Sequence, residues 1–90
     1  MKSNDKKRPK AAALSYDPGK DSAPKVIAAG RGKIAEEIIA RAKKLEIPID
    51  EEPELVEYLC QVPVGDEIPH ELYQAVAEVL AFIFKLNLSK

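Results

Sequence analysis

Apolar residues in the last third of the chain recur every three or four positions: Leu72, Val76, Val79, Leu80 and Ile83, with Tyr73, Ala77 and Phe84 widening the stripe. That period is helical. Pro69 stands where the first helical residue belongs, because its fixed φ fits there and its missing N–H costs nothing. A stripe this wide needs a sheet or a second helix to cover it. Another helix is predicted from about Lys33 to Leu45. Ile34, Ile38, Ala42 and Leu45 form its stripe, reinforced by Ala35 and Ile39. On the outer side Glu37 precedes Arg41 by the favourable spacing of four, and Glu36 precedes Lys43. Pro53 opens a third, shorter helix with Leu55, Val56, Leu59 and Cys60 inward. Glu51, Glu52 and Glu54 crowd its start, where the helix dipole favours negative charge.

Shorter runs predict strands. Ala11 to Tyr16 reads as one, although alanine is a weak strand former. Asp17-Pro18-Gly19 then turns the chain, since proline presets φ and glycine tolerates positive φ. Pro24 opens a second strand, Lys25 to Ala29, and Gly30 and Gly32 bracket a bend into the helix that follows. Ile47-Pro48-Ile49 reads as a third short strand before the acidic loop Asp50-Glu51-Glu52, and Val62-Pro63-Val64-Gly65 as a connector. Strand, helix, strand predicts a right-handed crossover between parallel strands. The expected fold is therefore α/β, or α+β: a small mixed sheet of about three strands packed against about three helices, in one domain over residues 10–90. Residues 1–9 are polar, lack apolar periodicity and end at Pro9; they read as a flexible basic arm.

Composition narrows the class. Ninety residues make one small domain, which buries roughly 60–65% of its unfolded surface. At 46% hydrophobic and 32% charged the make-up is that of an ordinary globular protein. No apolar run approaches the ~18 residues that span a bilayer. The polar start carries no charged-then-apolar signal. One cysteine, Cys60, cannot form an internal disulfide and suits a reducing cytosol.

The net charge of −1 conceals a polarity. Lys2, Lys6, Lys7, Arg8 and Lys10 stand against Asp5 at the start. From Glu46 through Phe84 there is no lysine or arginine, whereas Asp50, Glu51, Glu52, Glu54, Glu57, Asp66, Glu67, Glu71 and Glu78 all fall there. An acidic second half excludes a uniformly basic nucleic-acid binder. Solvated helix faces and a solvated tail account for most of these charges. The arm Lys6-Lys7-Arg8 also suits contact with an acidic surface or anionic lipid.

Catalytic chemistry is not legible. His70 is the only histidine, so no histidine pair exists for a metal or a relay. It falls in the first turn of the long helix, at the surface. Cys60 lies on an apolar stripe and reads as a small buried hydrophobe. Gly30-Arg31-Gly32-Lys33 invites a phosphate-loop reading, but that loop needs four residues between its glycines and Ser or Thr after the lysine, and here Ile34 follows. An RNA-clamping loop of the KH type needs glycines three apart, and these are two apart. A glycine bend between strand and helix is the plainer account. No cofactor, metal or enzymatic activity is expected.

Several motifs occur in a fixed order: Tyr16-Asp17-Pro18, then Ala23-Pro24-Lys25-Val26-Ile27-Ala28-Ala29-Gly30, then Ile47-Pro48-Ile49, then Glu67-Ile68-Pro69-His70-Glu71-Leu72-Tyr73-Gln74-Ala75-Val76-Ala77-Glu78-Val79-Leu80-Ala81. From Ala11 to Leu86, about five-sixths of the chain, the sequence resembles the C-terminal cytosolic domain of the FlhB/YscU/SpaS family of the flagellar and virulence type III protein-export apparatus. The resemblance implies a small sheet wrapped by helices, on a domain that recognises export substrates and switches from one substrate class to the next. Family members carry Asn-Pro-Thr-His just before the strand ending in Tyr-Asp and cut themselves between its asparagine and proline. Lys6-Lys7-Arg8-Pro9 occupies that place here. No side-chain amide stands at that place to cyclise onto its own backbone, so self-cleavage is not expected. The chain thus resembles a free-standing version of the piece left after cleavage.

The family's docking patch pairs Ala-Pro with the long terminal helix. Carried over, it implies Ala23, Pro24, Ala77 and Leu80 as a partner-docking surface. The implied function is a non-enzymatic interaction module that docks export substrates or export-gate proteins. The implied location is cytoplasmic, at the inner face of the membrane with the export apparatus, without membrane insertion. The alternative is a small RNA-binding domain using the Gly30-Gly32 bend and the basic arm; the acidic second half and the glycine spacing count against it, and no nucleic-acid partner is expected.

Overall fold

A computed structural model describes residues 8–88, with side chains for residues 8–84. The first seven residues of the expected arm lie outside the described residues. Two strands come first, β1 (Lys10–Ser15) and β2 (Lys25–Arg31). Helix α1 (Lys33–Lys44), helix α2 (Pro53–Leu59), a 3-10 turn (His70–Leu72) and helix α3 (Tyr73–Leu88) follow. The result is a mixed α+β domain, as expected.

The strands pair antiparallel, from Lys10 opposite Arg31 to Ser15 opposite Lys25. The turn between them is built as its residues require. Lys20 and Asp21 donate their backbone N–H groups to the Asp17 carbonyl at 2.9 and 2.7 Å. Gly19 N–H donates to the Asp17 carboxylate at 3.1 Å, the local bond that makes aspartate a turn former. Ala13 pairs with Ala28 but Leu14 with Val26, so Ile27 is an extra residue on β2. This bulge leaves the Ile27 side chain exposed while Val26 is fully buried.

Two glycines form the corner into α1. A Cβ on Gly30 would overlap the Ile34 side chain. Gly32 caps the helix at φ 60°, ψ −125°, its N–H donating to the Pro9 carbonyl at 2.8 Å and its carbonyl accepting from Glu36 N–H at 3.0 Å. The buried face of α1 is centred on Ala35, with Ile38, Ile39 and Ala42 half-buried beside it; Ile34 and Leu45 are exposed. The inward face is thus rotated slightly from the predicted stripe.

The sheet has two strands among the described residues, not about three. Ile47-Pro48-Ile49 is not a strand, and the parallel crossover is not formed. The reason is how α1 ends. Ile47 N–H donates to the Ala42 carbonyl at 2.8 Å and Glu46 N–H to the Lys43 carbonyl at 3.1 Å. These are the paired bonds of a Schellman cap, with Glu46 at φ 59° in the position that usually takes glycine. Ile47 has spent its N–H on the helix, and Pro48 has none to give. Ile47 and Ile49 remain 52% and 46% exposed.

The outer edge of β2 is covered instead by residues 65–68, part of which reads as a connector in the sequence. Gly65 N–H donates to Val26 O (2.7 Å), Val26 N–H to Asp66 O (3.0 Å) and Ile68 N–H to Pro24 O (2.9 Å), around an antiparallel bridge between Lys25 and Glu67. Pro69 is extended (φ −69°, ψ 158°) and precedes the 3-10 turn, so α3 proper starts four residues later than Pro69 predicts. Val26, Leu59, Ile68 and Val76 form the buried core, and Leu14, Ala29, Leu55, Leu72 and Leu80 pack against it. The stripe on α3 is therefore covered by β2, α2 and the 65–68 segment together.

Candidate docking surface

The residues expected to dock a partner fall on two levels. Ala23 is only 2% exposed, so it belongs to the interior. Pro24 is half-buried next to it, held by the Ile68 N–H on its carbonyl. On α3, Ala77 is exposed and Leu80 is half-buried against the core. Ile68, bonded to Pro24 and buried with Val76, links the two halves. The outward-facing members of the set are Pro24, Ala77 and the rim of Leu80; Ala23 is buried.

A second surface was not legible in the sequence. A groove of ≈ 510 Å³ runs between α2 and α3. Leu55, Tyr58, Leu72, Val79 and Phe82 form its apolar walls. Asp50, Glu52, Glu54 and Glu78 edge it. A hydrogen bond to Asp50, and the charges of Asp50 and then Glu78, push the Glu52 carboxyl above its ordinary range. The available signals were the acidic run around Pro53 and Phe82, an aromatic residue off the main stripe of α3.

The remaining charged and reactive groups have local explanations. Lys10 Nζ meets Glu57 Oε1 at 2.9 Å, and Arg31 lies 3.9 Å from the other oxygen. The Lys10 hydrogen bond and charge hold the Glu57 carboxyl below its usual range, with Arg31 adding to the effect. Cys60 is half-buried at the end of α2, its thiol directed at the Ala11 and Gly30 carbonyls at 3.7 and 3.8 Å. His70 is exposed, and its ring lies 4.6 Å from that of Tyr73. At the glycine corner, a Cβ on Gly32 would come within 2.9 Å of the Arg8 guanidinium, so these glycines answer to packing. No cluster of metal-ligating side chains occurs among the described residues. Among them no helix is long and apolar enough to cross a membrane.

This geometry has counterparts. The sequence pattern of the FlhB HrpN YscU SpaS Family matches residues 10–83. The chain belongs to that family. It is similar to the uncharacterized protein YlqH of Bacillus subtilis, with 51% identity over 78 residues that cover 87% of this chain and 84% of YlqH. It is 46% identical to the flagellar biosynthetic protein FlhB of Aquifex aeolicus over 74 residues, 81% of this chain but only 21% of FlhB. The chain thus spans about a fifth of that flagellar relative and most of YlqH. The fold matches the crystal structure of the cytoplasmic domain of FlhB from Shewanella putrefaciens with a TM-score of 0.77 and 36% identity, covering 83% of this chain and 63% of that one. In sequence and in fold it matches C-terminal domains of that family, and its ordered motifs sit at structural joints. Tyr16-Asp17-Pro18 enters the hairpin turn, Ala23-Pro24 is the ledge, and Ile68-Pro69 leads into α3.

Proposed function

We propose that the protein is a docking module of the flagellar or type III protein-export apparatus. It meets export substrates or export-gate proteins through an apolar surface formed by Pro24, Ala77 and Leu80, with Ala23 buried. The observation that carries this reading is the exposure of Ala77 and the half-exposure of Pro24 and Leu80 on elements tied together through Ile68. Small and rigid apolar groups at the surface of a packed scaffold offer contact area with little entropy to lose on binding.

The proposal needs no covalent step. Lys6-Lys7-Arg8-Pro9 lacks the asparagine amide that self-cleavage requires, so the role is that of a domain acting uncut through its surface. Its location in this reading is the cytoplasm, beside the export gate. The test is complementation in a cell whose full-length relative lacks its own C-terminal piece. The wild-type chain should restore part of export, and a Pro24→Asp, Ala77→Asp variant should restore less while melting normally. Equal rescue by both would remove the surface from the account, and rescue by neither would leave the fold without this role.

A further inference from the structure

We propose that the groove between α2 and α3 is a second docking site, which takes a cationic amphipathic segment of a protein partner. It lies apart from the Pro24–Ala77 surface. Ala77 and Phe82 are five residues apart on α3, about 140° around its exposed side and about 220° around its buried side in a helix that turns ~100° per residue. The core residues Val76 and Leu80 lie between them on the buried side. The groove and the ledge therefore flank the core on opposite sides of the same helix.

The chemistry of the occupant follows from the walls. Tyr58 and Phe82 are 57% and 52% exposed, with Leu55, Leu72 and Val79 below them. Large apolar side chains left open in a concave site bind apolar side chains. The edge is acidic throughout: four carboxylates and no lysine or arginine among the lining residues. The chain has no cation between Glu46 and Phe84 to supply one. Elsewhere on the molecule Glu57 is neutralised by Lys10 and Arg31. Among the groove carboxylates Glu52 instead meets Asp50, which pushes its carboxyl up, and Glu78 accepts a hydrogen bond from Gln74 at 3.3 Å. A cation placed among them is stabilised by every member of the set.

Other occupants fit less well. Anionic lipid headgroups would be repelled. In residues 1–7 of this chain, Met1 is the only apolar residue that could fill the walls. A second copy docked groove to groove would bring like charges together.

The probe is a labelled synthetic helix with leucines at i, i+3 and i+7 and lysines beside them, titrated against the full chain by fluorescence anisotropy. The control carries glutamate in place of each lysine. The lysine helix should bind, more weakly as salt rises, and the control should not. Glu52→Gln with Glu78→Gln should weaken binding about tenfold, from two charge contacts at the groove edge. Phe82→Ala should weaken it by at least as much; because Phe82 is half-exposed, its melt should stay near that of the wild type. Ala77→Asp, on the other surface, separates this site from the docking patch proposed above, and loss of binding in that variant alone would assign the helix to the patch. Equal binding of both helices, or indifference to the Glu52/Glu78 and Phe82 changes, overturns the proposal. So does tighter binding after Lys2, Lys6 and Lys7 are replaced by serine, which would make the chain's own arm the occupant. Self-association abolished by Phe82→Ala would give the groove to a second copy and overturn it equally.

Discussion

Introducing an aspartate separately at each of the four docking residues distinguishes scaffold from surface. The four positions differ in burial, so one chemical change has four predicted outcomes. Ala23 is 2% exposed and lies in the interior. An unpaired charge there costs about 3–5 kcal/mol. A 90-residue chain has roughly 5–13 kcal/mol of stability in all, so Ala23→Asp should lose a large share of it and melt at least about 12 °C lower. Leu80 is half-buried against the core; Leu80→Asp should cost about 2–3 kcal/mol. Pro24→Asp removes a rigid residue while keeping the carbonyl that receives the Ile68 N–H, a cost of about 0.4–1 kcal/mol. Ala77→Asp, on an exposed helix face, should cost about 0.5 kcal/mol from helix propensity alone. Thermal melts followed by circular dichroism give the order, and titration with an export substrate gives the second axis. Pro24→Asp and Ala77→Asp should each reduce affinity about tenfold, ~1.4 kcal/mol, with near-normal melts. If Ala23→Asp melts with the wild type, the burial argument is wrong. If the Pro24 and Ala77 variants bind normally, the surface reading is wrong even though the fold is right.

Four further outcomes are expected. Glu46→Gly should stabilise the domain by about 1 kcal/mol, because Glu46 holds a left-handed conformation (φ 59°) that glycine adopts without strain; an unchanged denaturation midpoint would remove that strain from the argument. Gly30→Ala should cost about 1–3 kcal/mol through overlap with Ile34, and Ile34→Ala in the same chain should recover part of it, as a double-mutant cycle would show. Lys10 lowers the folded-state pKa of Glu57, so the pair's contribution is complete above the ordinary glutamate value of about 4.3 and is lost as pH falls through the lower folded value. Denaturation curves at a series of pH values should therefore show a shallower acid-side loss for Glu57→Gln than for the wild type. The chain should also stay whole at neutral pH: its seven prolines follow Arg8, Asp17, Ala23, Ile47, Glu52, Val62 and Ile68, never asparagine, and intact-mass spectrometry would reveal any specific pair of fragments.

Elements whose signals are local were legible in the sequence. The α1 start at Lys33 follows from Gly32, the hairpin turn from Asp17-Pro18-Gly19, and the α2 start from Pro53. Elements that depend on where backbone donors go were not. Ile-Pro-Ile has strand composition, but the cap of α1 takes the Ile47 N–H, and only the folded chain shows that. The 65–68 segment has no strand-like alternation, yet it pairs with β2 because Ile68 must be buried under α3. Pro69 marked the start of the long helix to within one turn, the error being a 3-10 turn that no residue type announces. For the docking residues, identity was legible and depth was not. Ala23 and Ala77 are the same residue type, one inside and one outside, and only the folded chain separates them.

Helix α3 connects the two proposed sites. The cover supplied to the apolar stripe of α3 by β2, α2 and residues 65–68 leaves its Ala77 margin open. Val76 is absorbed by the core and Leu80 is half-buried against it, while Phe82, off the stripe, is exposed on the other side. Carboxylates of α2 and of the loop before it edge the Phe82 side; beside the Ala23-Pro24 joint, Glu67 bridges to Lys25 and accepts a hydrogen bond from Ser22 at 3.3 Å. A helix with two open margins can hold two segments at once. Binding of the cationic helix should then not block binding at the Pro24–Ala77 ledge, since the occupants share α3 without sharing surface. Titrating a substrate in the presence and absence of saturating lysine helix tests this. Mutual exclusion would mean that the groove and the ledge are parts of one site.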